Sequence, residues 1–127
     1  MILLDTHVVL WSLQAGDRIG RRARRIISSG EVLYLSAVTH LEIHLKGSLI
    51  NLRVPDDLAE LATEAGLTAL PFEDRHAAAV TRFPQLARHD PFDRMLVAQA
   101  DVDRLTFLTA DRTLLALEQP WIIDATV

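Results

Sequence analysis

The feature of this sequence that most limits its fold is the alternation of short apolar runs with segments of helical character. The apolar runs are Ile2–Leu4, Val32–Leu35, Leu67–Leu70, Thr106–Thr109 and Trp121–Ile123. Strands that alternate with helices pair in parallel, and helices then cover both faces of the sheet. Because these runs are almost entirely apolar, we expect them to be buried on both faces. The pattern predicts an α/β fold, a three-layer sandwich with a mainly parallel central sheet of four to five strands, and leaves the strand order open.

The segments between these runs carry the start and stop signals of helices. Ser36 can cap a helix at its amino end, Gly47 can end it, and Pro91 suits a first helical position. The predicted helices are Ile19–Ser29, Ala37–Lys46, Pro55 to about Gly66, Glu73–Arg82, Pro91 to about Asp101, and a short helix after Asp111. The 127 residues are half apolar and contain no repeat or linker-like stretch. We therefore predict one domain that spans residues 1–127.

The composition excludes several classes of site. No cysteine is present, so disulfides, thiolate zinc sites and thiol nucleophiles are ruled out. The five histidines form no HExxH motif. Any metal should therefore be a hard cation held by carboxylate oxygens. Asp5 interrupts the first apolar run, and no run approaches the length of a membrane span. The expectation is a cytoplasmic protein with no membrane segment.

Two acidic residues follow predicted strands directly. Asp5 comes after the first strand, and Asp111 lies two residues beyond Thr109 at the end of the fourth. In open α/β sheets, ligands bind beyond the carboxyl ends of the strands, where the strand order reverses. If these two strands are neighbours, both carboxylates face one crevice. Glu42 lies beside the apolar stripe of the helix after the second strand, where it is either part of this crevice or a surface residue.

The stretch HDPFDR contains two further acids that need separate interpretations. Asp90 precedes Pro91, which makes it a natural helix cap. Asp93 shares its helical face with apolar residues, so its side chain is expected to point toward the sheet. We therefore assign Asp93 to function and Asp90 to capping. Asp5, Glu42, Asp93 and Asp111 are the four candidate catalytic acids.

A group of buried carboxylates suggests a particular chemistry. Clustered acids repel one another unless a cation lies between them. A divalent metal removes this penalty, lowers the pKa of water and stabilises charge on a phosphate oxygen. Metal-assisted hydrolysis of a phosphodiester is the reaction that this set of residues suits best.

The motifs LLDTH, SAVTHLEI, HDPFDRMLVAQA and LTAD, taken together and in this order, resemble the PIN domain. The HDPFDRMLVAQA segment is similar to one subgroup of VapC-like toxins, and the resemblance covers essentially the whole chain. It implies a Mg²⁺-dependent endoribonuclease, with Mn²⁺ as a substitute, that acts as the toxin of a type II toxin–antitoxin system. The implied partners are an RNA substrate, a cognate VapB-like antitoxin, and a second copy of the chain in a homodimer or a higher toxin–antitoxin assembly.

The resemblance also assigns roles to the acids. It implies direct metal ligation by Asp5 and Asp93. Glu42 and Asp111 would complete the pocket, as ligands through water or as groups that orient the attacking water. Thr6 and Thr109 are similar to hydroxyls that support these acids in the family, although either could simply cap a helix.

Other residues near the motifs have open or structural interpretations. The net charge is −4, yet Arg18, Arg21, Arg22, Arg24 and Arg25 crowd one segment, which is either a phosphate-binding strip or a solvated helix face. Trp11 and Trp121 are expected in the core or an interface, because they are not interleaved with arginines. The histidines are left out of the site.

Three other functions fit the sequence less well. A phosphoacceptor domain needs adjacent acids near the first strand and a late lysine, whereas Lys46 is the single lysine. A haloacid-dehalogenase-like phosphatase needs a DxD motif, and residue 7 is histidine. A module that only binds RNA would favour positive charge over four carboxylates.

Overall fold

A computed structural model of the chain describes residues 1–14, 17–47 and 58–127. Strands and helices alternate throughout these ranges. The strands are β1 (Ile2–Leu4), β2 (Leu33–Ser36), β3 (Leu67–Leu70), β4 (Thr106–Thr109) and β5 (Ile122–Asp124). The helices are α1 (Thr6–Leu13), α2 (Arg21–Ile27), α3 (Ala37–Lys46), α4 (Leu58–Glu64), α5 (Asp74–Ala77), α6 (Pro91–Asp103) and α7 (Arg112–Leu115). A 3₁₀ turn, Pro84–Leu86, precedes α6.

The five strands form one parallel sheet in the order β3-β2-β1-β4-β5. The chain leaves the central strand β1 toward β2 and β3, then returns to the other side of β1 to add β4 and β5. The order therefore reverses between β1 and β4, which are neighbours with Leu3 beside Phe107. This arrangement confirms the predicted three-layer α/β fold and the conditional placement of two acids at one crevice.

Two apolar cores lie on opposite faces of the sheet. Leu3 and Phe107 belong to the core formed with α3, α6 and α7. Ile2, Leu4 and Leu108 belong to the core formed with α1, α2 and α4. Alternate residues of one strand thus point to opposite helical layers, as expected for a sheet covered on both faces. None of the helices in the described ranges has the length and apolarity needed to cross a membrane.

Most predicted elements are confirmed, with small shifts at their ends. β1, β3, β4 and α3 have the predicted bounds, β2 and β5 are shifted by one residue, α2 is shorter at both ends, and α6 ends two residues later. The predicted start of α4 at Pro55 lies outside the described residues. The segment between Glu73 and Arg82 is helical only to Ala77, and its next amides bond to carbonyls three residues back, as in a tighter 3₁₀ turn.

The sequence interpretation had missed helix α1. Its β-branched residues Thr6, Val8 and Val9 have low helix propensity and continue the look of a strand. Packing decides the outcome, because all three side chains are buried against the sheet. The helix begins immediately after β1, with Asp5 as its cap.

Residues 125–127 close against the start of α2. The Gly20 amide donates to the Ala125 carbonyl at 2.8 Å, and the Ala23 amide donates to the Val127 carbonyl at 3.1 Å. A Cβ atom at residue 20 would lie 2.3 Å from the Val127 backbone, so the close approach requires glycine. These contacts fix the amino end of the helix that carries most of the arginine cluster.

Candidate active site

A cavity of about 430 Å³ opens beyond the carboxyl ends of β1 and β4, where the strand order reverses. Among the described residues that line it, five are acidic and two are cationic. The acids are Asp5, Glu42, Asp90, Asp93 and Asp111, and the cations are Arg18 and Lys46. The structure therefore brings the four acids predicted for catalysis into one cavity, together with the predicted cap Asp90.

Asp5 links the central strand to the site. Its Oδ1 accepts from the Thr6 amide at 2.8 Å, and its Oδ2 accepts from the Thr109 hydroxyl at 2.6 Å. The side chain is 4% exposed. Burial raises the pKa of Asp5, and the hydrogen bonds from Thr109 and Thr6 oppose this only in part. The carboxylate is thus fixed in orientation while its charge is poorly solvated.

The Thr109 hydroxyl connects Asp5 to the neighbouring strand's acid. It donates to Asp5 and accepts from the Asp111 amide at 3.0 Å. Asp111 in turn caps α7, since its Oδ1 accepts from the amides of Thr113 and Leu114. Its Oδ2 lies 3.5 Å from Nε2 of His89. One carboxylate oxygen therefore holds the helix, and the other faces the cavity residues.

Glu42 is buried, so it is not the surface glutamate that the sequence left open. The Thr6 hydroxyl donates to Oε1 of Glu42 at 2.6 Å. Because that hydroxyl has a single proton, the 3.1 Å contact between Thr39 and Thr6 must be donated by Thr39. Nζ of Lys46 donates to Oε2 of Glu42 at 2.9 Å. Thr6 therefore supports an acid rather than capping a helix.

The predicted capping role of Asp90 is confirmed, and an ion pair accompanies it. Its Oδ1 accepts from the Phe92 amide at 2.8 Å at the start of α6. Its Oδ2 accepts from Nζ of Lys46. Burial acts to raise the pKa of Asp90, but the bonds from Lys46 and the Phe92 amide outweigh it and leave the pKa lowered. Asp90 is therefore a well-compensated acid.

Asp93, one turn into α6, is in the opposite situation. Burial, its largest perturbation, raises the pKa of Asp93 to about 7. The remaining causes are the negative charges of the other four carboxylates in the cavity. Nε2 of His89 lies 2.8 Å from its Oδ2. Asp93 is thus the point where the uncompensated charge of the site is concentrated.

The donor atoms of two groups of residues lie close enough to share a cation. In each group the atoms are within 4.8 Å of one another: one is His89, Asp93 and Asp111, and the other is Glu42, Asp90 and Asp93. Asp93 is common to both. Within the described residues Asp5 is in neither group, although its charge is among the causes of the raised pKa of Asp93. The donor set, mostly carboxylate oxygens, fits a hard divalent cation.

Sequence reasoning missed two residues of this site, Lys46 and His89. Lys46 bridges Glu42 and Asp90 across two helices, and its Nζ lies 5.1 Å from the centre of the Phe92 ring. Partial burial acts to lower the pKa of Lys46, but its hydrogen bonds to Asp90 and Glu42 leave it raised. The available signal was spacing, because Lys46 follows Glu42 by four residues and His89 precedes Asp93 by four.

The arginine cluster divides in the structure. Arg18 lines the cavity, whereas Arg21, Arg22 and Arg25 are exposed on α2. The guanidinium carbon of Arg18 lies 5.7 Å from the centre of the Trp11 ring, which also lines the cavity. Trp11 therefore packs partly against the core, as expected, and is also paired with an arginine that is distant in sequence.

The family model of the PIN domain matches residues 2–119 of the chain. No curated protein sequence matches it. Among solved structures, a toxin–antitoxin complex from Klebsiella pneumoniae aligns over 98% of both chains, with a TM-score of 0.67 and 16% identity.

Two further solved structures are similar to the chain. FitAcB from Neisseria gonorrhoeae aligns over 98% of both chains with a TM-score of 0.62 and 24% identity. DNA-bound VapBC from Salmonella typhimurium covers 97% of this chain and 96% of its own, with a TM-score of 0.63 and 18% identity. At these identities the likeness shows a shared fold.

Proposed function

The chain belongs to the PIN domain family, and on that premise we propose that it is a metal-dependent endoribonuclease acting as the toxin of a toxin–antitoxin pair. The observation that carries the proposal is the convergence of five carboxylates on one cavity, with the pKa of Asp93 raised to about 7 by burial and by its acidic neighbours. Such a site is costly for a folded protein unless a cation occupies it.

We assign the metal to Asp5 and Asp93, with Mg²⁺ as the natural cofactor and Mn²⁺ as a substitute. When bound, the cation would supply Lewis acidity to a phosphodiester and lower the pKa of water. Asp93 is suited to hold it because it is the least compensated carboxylate of the cavity. Asp5 is suited because Thr6 and Thr109 already fix both of its oxygens in orientation.

Glu42 and Asp111 complete the site in this proposal. Each is held at one oxygen by the protein, Glu42 by the Thr6 hydroxyl and Asp111 by the amides at the start of α7. A fixed carboxylate can accept a proton of the attacking water and orient it toward the phosphorus atom. Lys46 offsets part of the negative charge on the side of Glu42 and Asp90.

The proposed partners follow from the family and the fold. The solved relatives include toxin–antitoxin complexes, and we propose that a VapB-like antitoxin restrains this chain by placing an arginine or another blocking group in the acidic cavity. We also propose a homodimer, a higher assembly with the antitoxin, and action on RNA in the cytoplasm.

The test is cleavage of a structured RNA by the purified chain. We expect cleavage with Mg²⁺ or Mn²⁺ and none in excess EDTA, with activity restored when the metal is added back. A single-stranded DNA of the same sequence is the matched control for sugar specificity. RNA binding that is retained in Mg²⁺ without any cleavage would support a binding module and contradict the proposal.

The exposed arginines of α2 provide a separate prediction. Replacing Arg21, Arg22 and Arg25 by glutamine should weaken RNA binding and reduce its salt dependence by about 0.7 in slope per lost phosphate contact. Antitoxin binding should be largely unaffected if the partner holds the acidic cavity. The measurement is RNA affinity as a function of salt concentration.

The matched control replaces Arg75, Arg82 and Arg112 by glutamine. This triple variant lowers the net charge by the same three units, and its arginines pair with acids elsewhere on the surface. If both triple variants bind RNA with the same salt slope as the unmodified chain, the α2 cluster is only a solvated helix face.

A further inference from the structure

Trp11 and Arg18 form a mixed aromatic and cationic wall of the acidic cavity. Both line it together with Asp5 and Asp93, and the guanidinium carbon lies 5.7 Å from the ring centre. Trp11 is half-buried, so part of its indole packs against the core and part remains accessible. The His7 ring lies 6.3 Å from the indole at an angle of 46°, on the same helix.

The two cations of the cavity differ in how they are used. Lys46 is paired with both Glu42 and Asp90. Within residues 1–14, 17–47 and 58–127, the single contact found for Arg18 is the one with Trp11. Its five N–H donors therefore remain available to an anionic ligand.

The backbone around both residues is held firmly enough to form a site. Trp11 lies on α1, whose residues Val8 and Val9 are fully buried. Ile19, directly after Arg18, is 6% exposed and belongs to the same core. The following Gly20 is hydrogen-bonded to Ala125. The pair is thus carried by anchored segments on both sides.

We propose that Trp11 and Arg18 form a subsite for one unpaired nucleotide of the RNA, next to the bond that is cleaved. The base stacks on the accessible part of the indole, and the guanidinium binds the adjoining phosphate. This inference rests on the proposed function and adds to it the class of substrate, an unpaired RNA segment.

The chemistry of the cavity explains why such a subsite is needed. Its five carboxylates repel a phosphate backbone, so the substrate requires an attractive contact close to the site that does not neutralise the acids. Stacking on an aromatic or guanidinium plane is independent of charge repulsion and accepts any base whose face is exposed. The faces of paired bases in a duplex are covered by their neighbours, so an unpaired nucleotide fits best. The volume of about 430 Å³ lies in the range of small-ligand sites, about 300–1,000 Å³.

The chain offers a spectroscopic test because it has two tryptophans. In an Asp93→Asn, Trp121→Phe variant, cleavage is removed and Trp11 is the one remaining indole. Titration with a short single-stranded uridine oligonucleotide should quench its fluorescence saturably, and a duplex RNA of equal length should quench it less. In the matched Asp93→Asn, Trp11→Phe variant, Trp121 reports instead, and it should not respond because it packs against Phe83 away from the cavity.

A kinetic test uses the otherwise unmodified chain. Trp11→Leu and Arg18→Gln should each raise KM for a single-stranded RNA on the order of tenfold, with kcat within about twofold. Trp11→Phe should restore most of the affinity, since phenylalanine keeps an aromatic face. Arg18→Lys should remain impaired, because an ammonium cannot stack or bind a phosphate through a planar fork.

The outcomes distinguish the subsite from the enzyme. Saturable quenching of Trp11 with the KM effects supports the subsite. RNA cleavage with unchanged KM in both variants, or cleavage without any Trp11 response, overturns the subsite and leaves the proposed function intact. Failure of the unmodified chain to bind or cleave any RNA with Mg²⁺ overturns both.

Discussion

Replacing Asp93 by asparagine is expected to reduce RNA cleavage by at least about 100-fold. Even groups that only support a metal ligand cost 10–100-fold when they are changed, and Asp93 is proposed to bind the metal directly. The amide keeps the size of the side chain and can still accept from His89, which lies 2.8 Å away. The measurement is single-turnover RNA cleavage at saturating Mg²⁺, with the fold checked by circular dichroism.

Asp90→Asn is the matched control on the same helix. Asparagine caps a helix about as well as aspartate, so the bond from the Phe92 amide is preserved. The variant loses the charge that faces Lys46, an interaction worth at most about 1 kcal/mol at this partly exposed position. It should therefore retain most of the cleavage. Equal loss of activity in the two variants would mean that capping and catalysis have been assigned to the wrong acids.

The second large effect is on stability. Without metal, the folded state holds the pKa of Asp93 at about 7, against an ordinary value of 3.8. The folded protein therefore binds more protons than the unfolded chain between these values, and this residue's contribution to stability falls as pH rises from about 4 to 7. In EDTA at pH 8, Asp93→Asn should be more stable than the unmodified chain by about 1–3 kcal/mol. At pH 4 the difference should nearly vanish.

The measurement is urea denaturation of both proteins at several pH values. The difference between them is informative, because Asp90 and Asp124 have lowered pKa values and contribute stability that is lost at acidic pH in both. Mg²⁺ at pH 8 should stabilise the unmodified chain and have little effect on Asp93→Asn. A variant that is less stable than the unmodified chain at pH 8 would contradict the idea of mutual repulsion in the cavity.

The sequence predicted the sheet, and with it the position of the acids, because both depend on local signals. Ser36 and Gly47 bracket α3, and Pro71 ends β3, so these elements have the expected bounds. Asp5 and Asp111 follow strands that turned out to be neighbours. The neighbour relation itself was open, since local patterns do not report which strands pair.

Contacts between distant segments account for what was missed. Lys46 reaches Asp90, 44 residues away, and no periodicity in the sequence reports that distance. The pairing of Trp11 with Arg18 depends on how α1 and the segment before α2 approach each other at the cavity. The predicted continuation of α5 failed for a similar reason: the carbonyl of Val80 accepts from Arg94 on α6, and the segment tightens there.

The pairing of β1 with β4 has a consequence for how the protein is made. The hydroxyl that holds Asp5 belongs to Thr109, which is 104 residues later in the chain. At synthesis rates of about 5–20 residues per second, this partner emerges roughly 5–20 s after Asp5. Asp93 and Asp111 also appear late, so a nascent chain carries an incomplete acidic cavity for most of its time on the ribosome. For a nuclease of the proposed kind, this strand order delays activity until the chain can leave the RNA-rich machinery that produces it.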